Sequence, residues 1–364
     1  MGNRLVIELL VIRNGVSSGY QEYVFNLLKY FYVHRDEIKY KHIVIWCNAK
    51  ESEAFNSFRD KFEIKGFTVG SYWRRFWLQS YLPINEKLTK NDLVFSPGNT
   101  SGLIKRSLEI LTIHDLLYKR KDWLPLRTMR WHRNIMIPIS IKKADKIIAI
   151  SNFTKDDILH YYPKAKGKVE VVYNSMNFAK FDHEVVPNTY GEYFLAICSN
   201  AYHKNLKTVL KAFCDYCNNG GSMNLFFVGR IGNNGPAYDA YNILPENVKA
   251  RIITKAGIPD TELGALYENA SCYVSASLFE GLGMPVVEAM YYNLPVLLSD
   301  IPPHREVSMN LGSYFSPLDS DELAHKMLTI ENQKKNYKDK IVKAFSENET
   351  SAKYINHFNS LIVK

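Results

Sequence analysis

The sequence has few cysteines and no long hydrophobic run, and these absences exclude several classes of protein. Its 364 residues contain no stretch of about 18 apolar residues, so no membrane-spanning helix is expected. The N-terminus has an acid, Glu8, inside its apolar stretch and lacks a small-residue cleavage site, so we expect a first strand there and not a signal peptide. The five cysteines show no disulfide-framework spacing, which indicates a reducing, cytoplasmic environment.

Metal and dinucleotide signatures are also missing. Cys214 and Cys217 form a C-x2-C pair without a second pair to complete a zinc site, and their helical pattern favours packing. No G-x-G-x-x-G follows a strand, which excludes a dinucleotide-dependent dehydrogenase. The D-x-D at Asp319-Ser-Asp321 stands where a helix is expected to begin, so we interpret it as a cap and assign no metal.

Positive charge is concentrated in the first half of the chain. Residues 1–186 hold 30 Lys and Arg against 19 Asp and Glu, a net charge of +11, whereas the remainder has a net charge of −2. This asymmetry predicts an anionic partner such as nucleic acid, a membrane surface or a phosphorylated lipid. The segment Ser71–Leu82 mixes two arginines with large aromatic residues, which suits a lipid headgroup interface. A core helix with two exposed arginines explains this segment equally well.

Strand-like and helix-like runs alternate along both halves and predict two doubly wound α/β domains. The pattern lapses around Asp182–Gly191, a stretch with proline, asparagine and glycine that reads as a linker. In the second half the expected strands and helices are Tyr193–Ile197, Leu206–Asn218, Asn224–Val228, Ala250–Thr254, Thr261–Asn269 and Cys272–Ala276, and the chain is helical from Asp321.

The segment Glu280–Met290 is the most informative part of the chain. Its sequence is Glu-Gly-Leu-Gly-Met-Pro-Val-Val-Glu-Ala-Met, which places two carboxylates eight residues apart around a glycine loop and a proline. Pro285 fits the first turn of a helix, whose unsatisfied N–H groups and dipole favour an anion such as a diphosphate. Glu288, farther along the helix, could reach a sugar or ribose hydroxyl. A glycine turn before a buried helix is the alternative.

The flanking segments extend this unit. A short apolar run before it and another after it, Leu294–Asp300, read as parallel strands, and a turn is expected at Ile301-Pro-Pro. Ligands bind such sheets at the carboxyl ends of the strands, where residues 278–284 would fall.

This unit resembles the E-x7-E signature of the retaining glycosyltransferases of family 4. The resemblance implies the glycosyltransferase B (GT-B) architecture, in which two Rossmann-like domains face a cleft and a terminal helix crosses back. It assigns residues 1–186, with a C-terminal helix at about 345–364, to an acceptor-binding domain. It assigns residues 187–344 to a nucleotide-sugar-binding domain and requires no metal cofactor.

The resemblance also implies roles for residues outside the signature. His114, in a stretch of two apolar residues followed by His-Asp, would touch the donor sugar, while Asp115 shapes the turn. Lys204, in His-Lys-Asn-Leu, would grip the diphosphate. The arginine that many relatives have before this lysine is absent here, and Arg230 is a candidate replacement.

The remaining matches concern backbone groups. Family members often have a Gly-Gly pair that closes over the phosphate and sugar. In this chain Gly19 matches one glycine of the pair, and Ser18 replaces the other. The loop Ala256–Asp260, with Ile258, matches the loop that reads the base. Within the signature, the backbone amides around the glycine loop would bind the diphosphate: Gly281, Leu282, Gly283 and Met284.

The implied reaction is transfer of a hexose from a nucleotide sugar with retention of configuration. Glu280 would bind donor-sugar hydroxyls or the developing positive charge, and Glu288 would bind the ribose. The His-Lys-Asn-Leu form looks most like bacterial mannosyl- and rhamnosyltransferases of O-antigen or capsule synthesis. We therefore expect GDP-mannose or a related donor and a saccharide or lipid-linked oligosaccharide acceptor, with peripheral contact to the inner face of the plasma membrane.

Two other classes remain open from the sequence. Sugar-nucleotide epimerases and phosphorylases share the fold but lack this E-x7-E spacing with His-Asp. A non-catalytic relative that binds nucleotide sugar or scaffolds a polysaccharide assembly would explain the absent arginine and the reduced glycine loop. Release of nucleoside diphosphate from a labelled donor distinguishes an enzyme from a scaffold.

Overall fold

The computed structural model describes residues 3–12, 19–70, 72–120, 127–181, 187–330 and 334–362. The chain divides into two compact units, one formed by Met1–Asn177 with Phe345–Lys364 and the other by Phe178–Ala344. The second unit therefore begins nine residues before the position 187 expected from the sequence. Phe178 explains this difference, because its ring stacks on Tyr291 of the second unit at a centroid distance of 4.6 Å.

The first unit contains a seven-stranded parallel sheet in the order β3-β2-β1-β4-β5-β6-β7. This all-parallel sheet is the doubly wound arrangement predicted from the alternating pattern. Its strands are β1 (Arg4–Leu9), β2 (His42–Asn48), β3 (Glu63–Phe67), β4 (Leu93–Ser96), β5 (Leu108–Ile113), β6 (Lys146–Ala149) and β7 (Val169–Val171). Its helices in this part of the chain are α1 (Gly19–Val33), α2 (Tyr72–Asn85), α3 (Arg127–Lys143) and α4 (Asn152–Tyr161).

The second unit contains a six-stranded parallel sheet in the order β10-β9-β8-β11-β12-β13. Its strands are β8 (Tyr193–Ile197), β9 (Asn224–Val228), β10 (Ile252–Lys255), β11 (Cys272–Ser275), β12 (Val296–Ser299) and β13 (Ser313–Phe315). Its helices are α5 (Leu206–Asn218), α6 (Pro236–Asn242), α7 (Glu246–Lys249), α8 (Asp260–Asn269), α9 (Met284–Tyr291), α10 (Pro302–Val307), α11 (Ser320–Thr329) and α12 (Lys338–Phe345), the last ending in the first residue of the returning segment.

The C-terminal helix α13 (Glu347–Ser360) returns to the first unit. Tyr354 and Phe358 are buried in the apolar core of that unit. The hydroxyl groups of Tyr354 and Tyr23 also form a hydrogen bond of 2.7 Å. The helix is thus an integral part of the first unit, although it follows the second unit in sequence.

One local prediction was wrong. The segment expected as a turn at Ile301-Pro-Pro begins helix α10, because the two prolines occupy its first two positions, where no helical N–H bond is lost. The helix-like run Glu51–Phe58 is part of a longer 3₁₀ helix, Ala49–Phe58. Over the described residues, no helix is both long and apolar enough to cross a membrane.

Candidate active site

The glycine loop and helix α9 follow strand β11 at the carboxyl edge of the second sheet. Gly283 precedes the helix with a φ of +101°, in the left-handed region that favours glycine. Leu282 is buried and anchors the loop, while Gly281 and Met284 are half-buried. Pro285 is the second residue of α9, as predicted. The strand, loop and helix therefore form the crossover unit inferred from the sequence.

Glu280 forms the centre of a half-buried polar cluster in this loop. Its Oε1 accepts hydrogen bonds from Lys204 Nζ and from Ser277 Oγ, each at 2.7 Å. Burial acts to raise the pKa of Glu280, but the charges of Lys204 and His304 and the two hydrogen bonds hold this pKa below its usual value. The structure thus brings together the two residues predicted to bind the sugar and the diphosphate.

Lys204 is held in place by its neighbour Asn205. Asn205 has a φ of +53° between a 3₁₀ turn, Tyr202–Lys204, and helix α5. Its side-chain amide donates hydrogen bonds to Ala276 O at 3.0 Å and to Pro317 O at 2.7 Å. These bonds tie the loop after β8 to the segments that follow β11 and β13, which fixes the lysine beside Glu280.

Glu288 is buried on helix α9. Its Oε2 accepts a hydrogen bond of 2.7 Å from Tyr267 Oη, and its Oε1 lies 3.3 Å from Lys180 Nζ. The sequence reasoning missed both partners. Tyr267 occupies the apolar face of the predicted helix α8, and Lys180 precedes a stretch read as a linker, so neither position pointed to a ligand.

His304 is a further buried residue that the sequence reasoning missed. Its Nδ1 lies 3.0 Å from both Ser299 Oγ and Ser299 O. Burial lowers the pKa of His304, although the nearby carboxylate of Glu280 opposes this shift. A histidine directly after two prolines at the end of a strand was the available signal, but the segment was interpreted as a turn.

The other residues predicted for the second unit lie on neighbouring loops of the same sheet edge. Arg230 is exposed directly after β9, and it has no hydrogen bond or ion pair among the described residues. Gly229 must be a glycine, since a Cβ there would lie 2.1 Å from Cys198 O of β8's loop. Ile258 is half-buried between β10 and α8. The structure shows no contact of either residue with Lys204 or Glu280, so their roles stay predictions.

In the first unit, His114 follows β5 and lies in an aromatic pocket. Its Nε2 donates a hydrogen bond of 2.7 Å to Pro97 O, and its ring meets Tyr20 and Tyr23 edge-on. Burial lowers the pKa of His114. The ring is therefore neutral near pH 7 and carries its proton on Nε2.

Two further residues of the first unit were named from the sequence, Asp115 and Gly19. Asp115 Oδ1 accepts a hydrogen bond of 2.9 Å from Leu117 N, which confirms that it shapes the turn. Gly19 is the first residue of α1, and Ser18 lies outside the described residues.

The described residues contain no group of three or more His, Cys, Asp and Glu that could hold a metal ion. Asp319 of the D-x-D accepts hydrogen bonds from the backbone N–H of Asp321 and Glu322, which confirms the interpretation as a helix cap. The second unit provides two lysines, two carboxylates and a glycine loop at a helix N-terminus, a set suited to a phosphate and several hydroxyl groups.

Two family models match the chain in succession. "Glycosyltransferase Family 4" matches residues 19–180, and "Glycosyl transferases group 1" matches residues 179–351. The two matches meet within two residues of the boundary between the structural units.

Curated relatives match at moderate identity. The chain is 27% identical over 263 residues to the O-antigen chain mannosyltransferase RfbU of Salmonella typhimurium strain LT2, over 71% of this chain and 70% of that protein. It is 26% identical over 221 residues to the serotype-specific mannosyltransferase WbdA of Escherichia coli. That match covers 54% of this chain but 27% of WbdA, a much longer protein.

Solved structures resemble the chain over nearly its whole length. A glycosyltransferase from Rickettsia africae superposes with a TM-score of 0.71 at 15% identity, covering 99% of this chain and 98% of that one. Anabaena HepE in complex with UDP and glucose superposes with a TM-score of 0.70 at 14% identity, covering 98% and 99%. At these identities the likeness shows the fold, and it confirms the GT-B architecture with two Rossmann-like domains.

The pairing of Lys204 with Glu280 leads to a testable coupling. In a double-mutant cycle with Lys204→Met and Glu280→Gln, we expect a coupling of about 2 kcal/mol in the free energy of urea unfolding at pH 7. Because folding lowers the pKa of Glu280, the coupling should be present at neutral pH and should fade as the pH falls below about 4.

Lys255 and Glu262 provide the matched control. Their atoms approach to 2.6 Å, but the side chains are 39% and 37% exposed, against 23% and 15% for Lys204 and Glu280. We expect a coupling of only about 0.5 kcal/mol there. Equal coupling energies in the two cycles would contradict the inference that the lower exposure of Lys204 and Glu280 strengthens their interaction.

Proposed function

The chain belongs to the glycosyltransferases of family 4, and from this premise we propose that it transfers a mannose-like hexose from GDP-mannose with retention of configuration. The proposed acceptor is a saccharide or lipid-linked oligosaccharide of a cell-surface polysaccharide. The names of its relatives RfbU and WbdA, both mannosyltransferases, support mannose as the sugar and the O-antigen as the setting.

The observation that carries the proposal is the Lys204–Glu280 pair beside the glycine loop. The lysine supplies a cation for the diphosphate, and α9 directs its N-terminus toward the same loop. The carboxylate stays ionised because its pKa is lowered, so it can accept hydrogen bonds from sugar hydroxyls or stabilise positive charge on the ring. Glu288, which follows one helical turn into α9, is proposed to bind the ribose.

In this mechanism the protein positions the reactants and stabilises charge. The acceptor hydroxyl attacks from the face of the leaving group, and the departing phosphate helps to take its proton. Lys204 and the loop amides stabilise the charge that develops on the diphosphate. Contact with the donor sugar is the role proposed for His114, whose neutral ring keeps Nδ1 as an acceptor when Nε2 binds Pro97.

The donor is tested by screening GDP-mannose, UDP-glucose and dTDP-rhamnose for release of nucleoside diphosphate in the presence of a lipid-linked oligosaccharide. We expect release from GDP-mannose, and we expect it to persist in EDTA because Lys204 and the helix terminus serve the diphosphate without a metal. Release from another donor alone would refute the choice of GDP-mannose. Loss in EDTA with rescue by Mg²⁺ or Mn²⁺ would refute metal independence, and no release from any donor would favour a nucleotide-binding scaffold.

Replacement of Glu288 and replacement of Glu280 should change different kinetic parameters. Glu288→Ala should mainly raise the KM for the donor, because a ribose contact is made in the ground state and the transition state alike. Glu280→Ala should mainly lower kcat, by about 100-fold, because charge on the ring develops only in the transition state. Steady-state kinetics of both purified variants measure the split, and wild-type kinetics in both would refute the site.

Peripheral contact with an anionic membrane is part of the same proposal, and a surface on the first unit supports it. Apolar side chains are exposed on one face of α2, on α3 and on the loop between β4 and β5; we call them the aromatic surface: Trp77, Tyr81, Ile84, Leu103, Trp131 and Ile135. The two helices are adjacent, since the rings of Phe76 and His132 lie 6.0 Å apart. Exposed cations lie a few residues after Ile84 and Leu103 in the sequence, at Lys87, Lys105 and Arg106. Aromatic rings beside cations suit the headgroup region of a bilayer.

A vesicle experiment tests this contact. Trp77 and Trp131 are 53% and 56% exposed, so Trp77→Ser/Trp131→Ser should keep the fold but weaken sedimentation with phosphatidylglycerol vesicles. Arg74→Glu/Arg75→Glu should also weaken it, because each cation near an anionic surface contributes about 1 kcal/mol. The side chains of both arginines lie outside the described residues, so this pair tests the sequence-based hypothesis directly.

Ile243 supplies the matched control, because it is an 83% exposed apolar residue of the second unit. Ile243→Ser should leave vesicle binding unchanged. Binding of the wild type should also fall steeply with added salt. If both double variants sediment as the wild type does, neither surface is the contact, and if the wild type ignores the vesicles, the membrane proposal is wrong.

A further inference from the structure

We propose that Lys180 is a positioning residue for nucleotide binding, which together with Tyr267 holds the carboxylate of Glu288 in the orientation that accepts two neighbouring hydroxyl groups of a ribose. This inference rests on the proposed function, in which Glu288 binds the ribose.

The first observation is that the two carboxylate oxygens of Glu288 have different partners in the protein. Tyr267 Oη donates to one carboxylate oxygen at 2.7 Å, and Lys180 Nζ lies 3.3 Å from the other. Each carboxylate oxygen has about two acceptor sites. Among the described residues, the protein therefore occupies one site on each oxygen, and one site on each oxygen remains for a ligand. Two adjacent hydroxyl groups match that pair of free sites.

The second observation is burial. The side chains of Lys180 and Glu288 are only 12% and 8% exposed, and Tyr267 is fully buried. A carboxylate in such a place is costly without a cation, and removal of one partner leaves the other charge uncompensated. Lys180 thus supplies the cation that compensates this carboxylate, and a hydrogen bond between a hydroxyl group and a carboxylate is stronger than one to a neutral acceptor.

The third observation is that the lysine is fixed by its own segment. Lys180 belongs to a short 3₁₀ helix, Phe178–Phe181, where the chain enters the second unit. Phe178 stacks on Tyr291, which lies on the same helix α9 as Glu288. The ring of Tyr267 in turn stacks on Tyr292 at 5.7 Å with an interplanar angle of 11°. Tyr292 is the C-cap of α9, so both donors to the carboxylate are anchored to the helix that carries it or to its cap.

A lysine that served stability alone would satisfy the same contacts, so the experiment must detect the ribose. We compare dissociation constants of GDP, UDP and their 2′-deoxy counterparts by calorimetry in the wild type, Lys180→Met and Lys180→Arg. The wild type should bind the ribonucleotide about tenfold more tightly than the deoxynucleotide, as expected for a hydrogen bond to a charged group. In Lys180→Met the ribonucleotide should bind about tenfold more weakly, and the preference for it should shrink to about twofold. Lys180→Arg should restore most of the preference.

Two further variants complete the design. Tyr267→Phe removes the other donor and should also reduce the preference, which keeps the test decisive if Lys180→Met does not fold. Lys249→Met is the control, because Lys249 pairs with Glu246 at 2.9 Å elsewhere in the second unit and should change neither affinity nor preference.

The outcomes separate this inference from the function on which it rests. Equal weakening of both nucleotides in Lys180→Met, with an unchanged ratio, would show a structural role and overturn the inference while the proposed function stands. An unchanged affinity in Lys180→Met would overturn it in the same way. A wild type without preference for the ribonucleotide would overturn it together with the proposed ribose contact of Glu288, while the proposed sugar transfer stands. A wild type that binds neither GDP nor UDP would overturn the proposed function and this inference together.

Discussion

In both sheets every strand runs in the same direction, and the arrangement of the site depends on that constraint. Parallel strands place all their carboxyl ends at one edge, so loops far apart in sequence meet there. In the second unit the order β9-β8-β11-β12 sets side by side the loops with Arg230, Lys204 and Glu280, and the turn into α10 with His304. Lys204 and Glu280, which are 76 positions apart in the chain, thereby come to share one polar cluster.

Collecting charge at this edge requires compensation, and the unit provides it in two buried pairs. Glu280 has Lys204 and Ser277, while Glu288 has Lys180 and Tyr267. Each carboxylate thus has one cation and one hydroxyl. Because a buried charge without a partner is costly, the same contacts that stabilise the unit also orient both carboxylates.

Much of the framework could be predicted from the sequence, because buried parallel strands and the helices between them follow local rules. The strands Tyr193–Ile197 and Asn224–Val228 and the helix Leu206–Asn218 have the predicted bounds. The geometry of the glycine loop was predictable, because two glycines followed by a proline are typical of a loop that becomes a helix. Pairings across the fold carry no such signal. Nothing next to Lys180 indicates that it meets a helix more than 100 residues later, and nothing in the prolines before His304 indicates that it faces two serine-bearing strands.

The pairing of Lys204 with Glu280 also constrains how the proposed reaction proceeds. A diphosphate and Glu280 carry charge of the same sign, so their approach within a poorly solvated loop is unfavourable unless a cation lies between them. Lys204 Nζ donates to Glu280 Oε1 at 2.7 Å and is also the cation proposed to meet the diphosphate. Its positive charge can therefore offset the repulsion between the carboxylate and the phosphates. The lysine and the glutamate then act as one unit, and replacement of either changes the environment of the other.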